Sequence, residues 1–316
     1  MKPVTLVFSV HSRDSLWVVV DRRLSYGGHR APVDDAVKIM ELQTTDGRGL
    51  LAYAGLGATL MGTQPSEWMS AVLRGRGGMT FEQTLGVLAS VATRELPKHL
   101  VSLPGDSHSH EIIIPAFVRG VGSRLYTIDN VVNPKTRQHW YRYTSHQRTV
   151  EPGSPSPRIA AVGTGGAYIR KNKDRNWQRE LLSLVNQHDR GKVSDQFISD
   201  RLAQVNYETY EALEASGDRT VGPRSIVVWR RRLDVRPGAP GGGHQFYTGV
   251  DRDPQCPAIP AIHNGMDVQA LLQILMNQFQ RRIADRGLTS AALDADKDET
   301  NRLLAGIPDH PDERLR

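Results

Sequence analysis

The chain has 316 residues, 39% of them apolar and 23% charged, a balance that belongs to one large globular domain or two small ones and excludes a disordered chain. Its single cysteine, Cys256, excludes an internal disulfide framework and a cysteine-built zinc finger, and fits a reducing, cytoplasmic setting. Forty Lys+Arg against 34 Asp+Glu give a net charge of +6, which nucleic acid or an acidic partner would tolerate but which demands neither. The amino-terminal apolar run is too short for a secretory signal, and no run approaches the ~20 apolar residues of a membrane span, so no membrane association is expected.

In chain order, alternation sets Thr5, Val7 and Ser9 against Leu6, Phe8 and Val10, the pattern of a strand. The polar stretch 12–15 turns it, and residues 16–20 return as a β-branched strand buried on both faces. Residues 37–42 and 50–54 read as a second strand pair joined by the turn 45–49. Helices follow at 59–73 and from Thr80 to Pro97, the second opening on Thr80 with Glu82 and Gln83 as capping material. Strands return at 111–118 and 124–129, then a basic and aromatic stretch at 134–148 and a Pro/Ser linker at 151–157.

The second half nearly repeats the first: a strand at 159–162, a glycine turn at 163–166, helices to about 188 and over 193–213, and strands at 225–229 and 245–248. Segregated strands and helices in two similar halves predict an α+β fold with two stacked sheets and helices outside. Residues 1–232 form this domain. Residues 233–316 form an extension with a Gly/Pro tip, one amphipathic helix at 267–284 and a polar tail. That helix should bury Val268, Leu271, Leu272, Leu275, Met276 and Phe279 along one stripe.

The chemistry concentrates in residues 5–38. A hairpin pivoting on 12–15 brings Thr5 beside Asp21, and Lys38 opens an adjacent strand. A hydroxyl, a carboxylate and an ammonium grouped in this way are the parts of an activated nucleophile. The same residues also read as a strand threonine, a turn-forming aspartate and a solvated lysine.

The run TLVFSVHSRDSLWVVVDRR resembles the amino-terminal hairpin of the proteasome β-subunit family, especially its bacterial ring-protease branch. Residues 37–39 (VKI), 52–58 (AYAGLGA), 125–129 (LYTID) and 159–166 (IAAVGTGG) are similar, in the same order, to further motifs of that family, and Val221-Gly222 occupies the region of another. The resemblance spans roughly residues 4–232. It implies a four-layer αββα sandwich and an N-terminal-nucleophile hydrolase: Thr5 as nucleophile, Lys38 tuning its hydroxyl, Asp21 holding Lys38, the Gly55 N–H in the oxyanion hole and Thr164 near the nucleophile's amine. It implies a peptide or unfolded protein as substrate, a homo-oligomeric ring or open helical assembly, and no cofactor or metal, and it leaves open whether an unfoldase feeds the chamber.

The mechanism requires a free α-amine, whose pKa near ~8 suits a base, whereas a peptide nitrogen is not basic. Residues 1–4 precede Thr5, so Thr5 must become the first residue. If residues 1–4 stay attached, the chain is instead a catalytically silent assembly or binding protein of the same fold. Three other features have plainer readings. Cations and aromatics interleaved over 134–148 suit single-stranded nucleic acid, or an exposed sheet edge guarded by charge; the edge is expected and nucleic acid is not. His108 and His110 have the spacing of metal ligands but no third partner, so no metal is expected. The glycines at 163–166 lack the lysine and spacing of a phosphate loop.

Overall fold

Strand β1 (Val7–His11) turns through Ser12 into β2 (Ser15–Asp21) with the register Val7↔Val20 and His11↔Leu16. The Ser12 hydroxyl accepts the N–H groups of Asp14 and Ser15 at 3.1 and 3.0 Å, which closes the turn where the polar tetrad predicts it. The computed structural model describes residues 5–24, 32–55, 63–100, 110–132, 135–136, 138–146, 158–172, 177–232, 241–285 and 290–305.

A six-stranded sheet carries this hairpin at its centre. Strand β1 pairs on its outer side with β8 (Arg158–Val162), and β2 pairs with β9 (Arg224–Arg231), followed by β10 (Gly242–Thr248) and β11 (Asp251–Arg252). The second sheet has the order β13-β12-β3-β4-β5-β6-β7. It is built from β3 (Ile39–Gln43), β4 (Gly47–Ala54), β5 (Glu111–Val118), β6 (Gly122–Val132) and β7 (His139–His146), with β12 (Ala261–His263) parallel to β3 and β13 (Met266–Asp267) at the edge.

Alternation along each strand sorts the apolar residues into three clusters. Val7, Leu16, Val18 and Val20 face Ile39, Leu50, Ala52 and Ile113 of the other sheet. The opposite face of the six-stranded sheet, with Phe8, Val10, Trp17 and Val19, packs against α3 (Gly163–Lys171), α4 (Trp177–Asp189) and α5 (Asp195–Ala215). Met40, Leu42, Leu51 and Ile112 pack against α1 (Pro65–Leu73) and α2 (Phe81–Leu100). Each fully buried Leu, Val or Phe contributes about 1.5–3 kcal/mol relative to an exposed one. Thr80 and Gln83 close a reciprocal box at the start of α2, Thr80 N–H to Gln83 Oε1 at 2.9 Å and Gln83 N–H to Thr80 Oγ1 at 3.3 Å.

Several elements differ from the sequence reading. Helix α2 runs through Pro97 to Leu100, so the proline removes one intrahelical bond without ending the helix. Residues 163–166 form the first turn of α3 and not a separate turn. Of the helix read at 59–73, residues 65–73 are helical and 56–62 lie outside the described residues. Strands beyond residue 232 join both sheets: β10 pairs with β9 over seven residues, and β12 with β3. The acid-rich tail contains a helix, α7 (Ser290–Ala305).

Helix α6 (Val268–Asp285) does not bury its apolar stripe. Leu272, Leu275, Met276 and Phe279 are 43–55% exposed, while Gln278 is buried and accepts the Thr300 hydroxyl of α7 at 2.8 Å. The helix is oriented by its anchors, Gln278 and the Asp267–Arg74 ion pair at 2.7 Å just before it, and these lie off the apolar stripe. Strand β7 is the edge strand of its sheet, and Tyr141 turns inward to pack with α2.

His11 sits at the end of β1 with 1% exposure, and neither ring nitrogen has a partner among the described residues. Burial, with Arg158 opposite, lowers its pKa to about 4. The folded state therefore favours the neutral ring, and stability present above pH 6.5 is lost as the pH falls toward 4. Spanning that interval, His11 should account for about 3 kcal/mol. Urea unfolding at pH 7 and pH 4.5 checks this: the stability of wild type relative to His11→Leu should fall by about 2 kcal/mol between the two, and an unchanged difference would exclude the assignment.

Candidate active site

Thr5, Asp21 and Lys38 meet where the two sheets come together. Asp21 ends β2, and its N–H donates to the Leu6 carbonyl at 3.1 Å, which puts it across from the residue after Thr5. Lys38 arrives from the other side. The antiparallel bridge Leu24↔Val33 and the bond from Ala36 N–H to the Arg22 carbonyl, 3.0 Å, fold residues 33–38 back over the end of β2. The Lys38 carbonyl then accepts Tyr53 N–H at 2.9 Å, which joins the segment to β4.

The contacts are dense. Lys38 Nζ donates to Thr5 Oγ1 at 2.7 Å and lies 3.3 and 3.4 Å from the two Asp21 oxygens. The Thr5 hydroxyl donates to Asp21 Oδ2. Asp21 also accepts three backbone N–H groups, from Leu6 at 2.7 Å, Arg23 at 2.9 Å and Gly222 at 3.3 Å. Thr5, Asp21 and Lys38 have 0%, 0% and 1% exposure. Burial lowers the Lys38 pKa, and the Asp21 charge partly offsets this.

The remaining two predicted residues come from other elements. Thr164 is buried in the first turn of α3. That turn is seated on Thr5: Gly165 N–H donates to the Thr5 carbonyl at 3.1 Å, and Gly163, at φ +77°, lies so close to that carbonyl that a Cβ would collide with it. Glycine at 163 therefore serves both the left-handed backbone and the close approach. Gly55 follows β4 two residues beyond Tyr53, at the same end of the sheet as Lys38. Residues 56–62, which continue its motif, lie outside the described residues.

Sequence reasoning missed a clamp around Asp21. Arg23 holds Asp34 through two bonds of 2.8 Å and donates to the carbonyls of Val221, 3.0 Å, and Arg219, 3.3 Å. It thus fastens the segment leading to Lys38 and the turn that supplies Gly222 N–H. A Cβ on Gly222 would meet Asp34 Oδ1 at 2.5 Å and Arg23 Cβ at 2.8 Å, so this position also requires glycine. Arg23 lies two residues after Asp21 in the sequence, but nothing there marks Asp34 as its partner. Of the suggested metal ligands, His108 lies outside the described residues and His110 is engaged by the Tyr53 hydroxyl.

Chemically, the arrangement holds a hydroxyl between an ammonium and a carboxylate in a dry site. The ammonium favours negative charge on Oγ1, and the carboxylate can take the proton or fix the ammonium. A bare threonine in a strand needs neither neighbour.

No family model matches the chain, and no curated protein does. Among solved structures it is similar to Anbu (ancestral β-subunit) from Yersinia bercovieri, at 13% identity and a TM-score of 0.40, over 72% of this chain and 82% of that one. The helical assembly of the Anbu complex from Pseudomonas aeruginosa gives 13% identity and a TM-score of 0.43, over 90% and 99% of the two chains. Anbu from Hyphomicrobium sp. strain MC1 gives 12% and 0.40, over 78% and 88%. Likeness of this size establishes neither a family nor an activity. No described helix is long and apolar enough to cross a membrane.

Proposed function

We propose that the protein is a proteasome-like N-terminal-nucleophile hydrolase that cleaves amide bonds in peptides or unfolded proteins. Its four-layer αββα body spans residues 1–232, and residues 233–316 are an extension that also lends strands to both sheets. The observation that carries the reading is Lys38 Nζ at 2.7 Å from the Thr5 hydroxyl, with Asp21 touching both in a site closed to solvent.

In this reading Thr5 Oγ1 attacks the substrate carbonyl once residues 1–4 have been removed, and the freed α-amine takes the hydroxyl proton. Lys38 stabilises negative charge on Oγ1, Asp21 holds Lys38, Gly55 N–H stabilises the tetrahedral oxyanion, and Thr164 lies by the amine. A carbonyl cannot reach an oxygen of zero exposure, so the proposal requires that the site open when residues 1–4 are removed. A homo-oligomeric ring or helical assembly of a cytoplasmic protein completes the proposal.

Intact mass and amino-terminal sequencing of the purified, assembled protein test it. Thr5 as first residue, with peptide hydrolysis, is the expected result. Retention of Met1 or Lys2 in an assembled protein that hydrolyses nothing would favour the silent assembly protein instead.

A further inference from the structure

A second concave site lies at the other end of the strands. Ser15 pairs with Arg231 as Asp21 pairs with Ser225, and six residues of strand separate the two ends by roughly 20 Å. There, the β3–β4 turn, the β5–β6 turn and the end of β9 enclose a cavity of about 570 Å³. Four of its lining residues are arginines, Arg48, Arg119, Arg231 and Arg232, against one carboxylate, Asp46. A volume of this order is that of a small-molecule site.

The charges are arranged in two tiers. Arg48 is held by Glu41 at 2.6 Å and Arg231 by Asp195 at 2.6 Å, which fixes both guanidinium groups in place. Asp46 spends one carboxylate oxygen on Phe81 N–H at 2.7 Å and on the Thr44 hydroxyl at 2.9 Å, so its charge faces a helix N-terminus. Arg119 makes no ion pair with any described residue and projects from an exposed turn. Arg48 and Arg231 thus have their forks taken up by carboxylates, and Arg119 is the guanidinium on this cavity whose donors an anion can take.

We infer that this cavity binds a small molecule through an oxyanion group, a phosphate or a carboxylate. Arginine forks match both groups through paired hydrogen bonds. Phe117, Val118 and Val121 give the same cavity an apolar wall for the rest of the ligand. The inference is independent of Thr5 and stands or falls without it.

Calorimetric titration of the full chain with inorganic triphosphate and, separately, with citrate tests it. Saturable binding of one anion per chain is expected, weakened about tenfold by Arg119→Ala and partly restored by Arg119→Lys. Binding of triphosphate alone identifies a phosphate ligand, and binding of citrate alone a carboxylate ligand. Unchanged melting of Arg119→Ala, whose side chain lies outside the core, would show that the loss is one of binding. If neither anion binds saturably, or if binding is indifferent to Arg119→Ala, the inference is overturned.

Discussion

Asp21→Ala is expected to destabilise the fold by at least about 3–5 kcal/mol, because it strands a buried ammonium without its counter-charge. It also deprives the N–H groups of Leu6, Arg23 and Gly222 of their acceptor, and each buried unmet donor adds roughly 1–3 kcal/mol. Lys38→Met should cost less, since the carboxylate keeps those three amides and the Thr5 hydroxyl. With Lys38 already replaced, Asp21→Ala no longer strands a charge, so the double variant should be less unstable than the sum of the singles by about 2 kcal/mol or more. Urea midpoints at constant m-value measure all three. Strict additivity would mean that the buried pair is not coupled in the way its geometry indicates.

In a chain that begins at Thr5, Thr5→Ala should reduce peptide hydrolysis by at least about 1,000-fold, the scale on which removing a nucleophile acts. Stability should change by about 2–3 kcal/mol, because the hydroxyl's two bonds, to Asp21 and from Lys38, are lost while Asp21 and Lys38 remain paired. Thr5→Ser keeps the hydroxyl and should keep much of the rate. This separation of rate from stability distinguishes a reacting group from a packed one. Equal losses of both in Thr5→Ala would make Thr5 a structural threonine.

The central hairpin was legible because period-two alternation and a polar tetrad specify strands, turn and register together, and the register alone brings Leu6 opposite Asp21. The approach of Lys38 was legible only in outline. Its position depends on the Leu24–Val33 bridge and the Arg23–Asp34 pair, contacts between segments that no local pattern announces. Gly163 read as a turn former, yet its reason is tertiary: the Thr5 carbonyl occupies the space a side chain would need. In α6, the spacing correctly marks an apolar stripe, but periodicity says which residues share a face and not whether anything covers it. The parallel pairing of β12 with β3 joins residues more than 200 positions apart, beyond any reading of adjacent elements.

The claim that Thr5 is the nucleophile is tested most directly by the acyl group it should carry. A chain beginning at Thr5 is mixed with an activated ester substrate, quenched in acid during the first turnover and digested with trypsin. The account predicts the acyl mass on the amino-terminal peptide that ends at Arg13, localised to Thr5 and absent from Thr5→Ala. Hydrolysis that proceeds with that peptide unmodified, or with the acyl group on another residue, would contradict it.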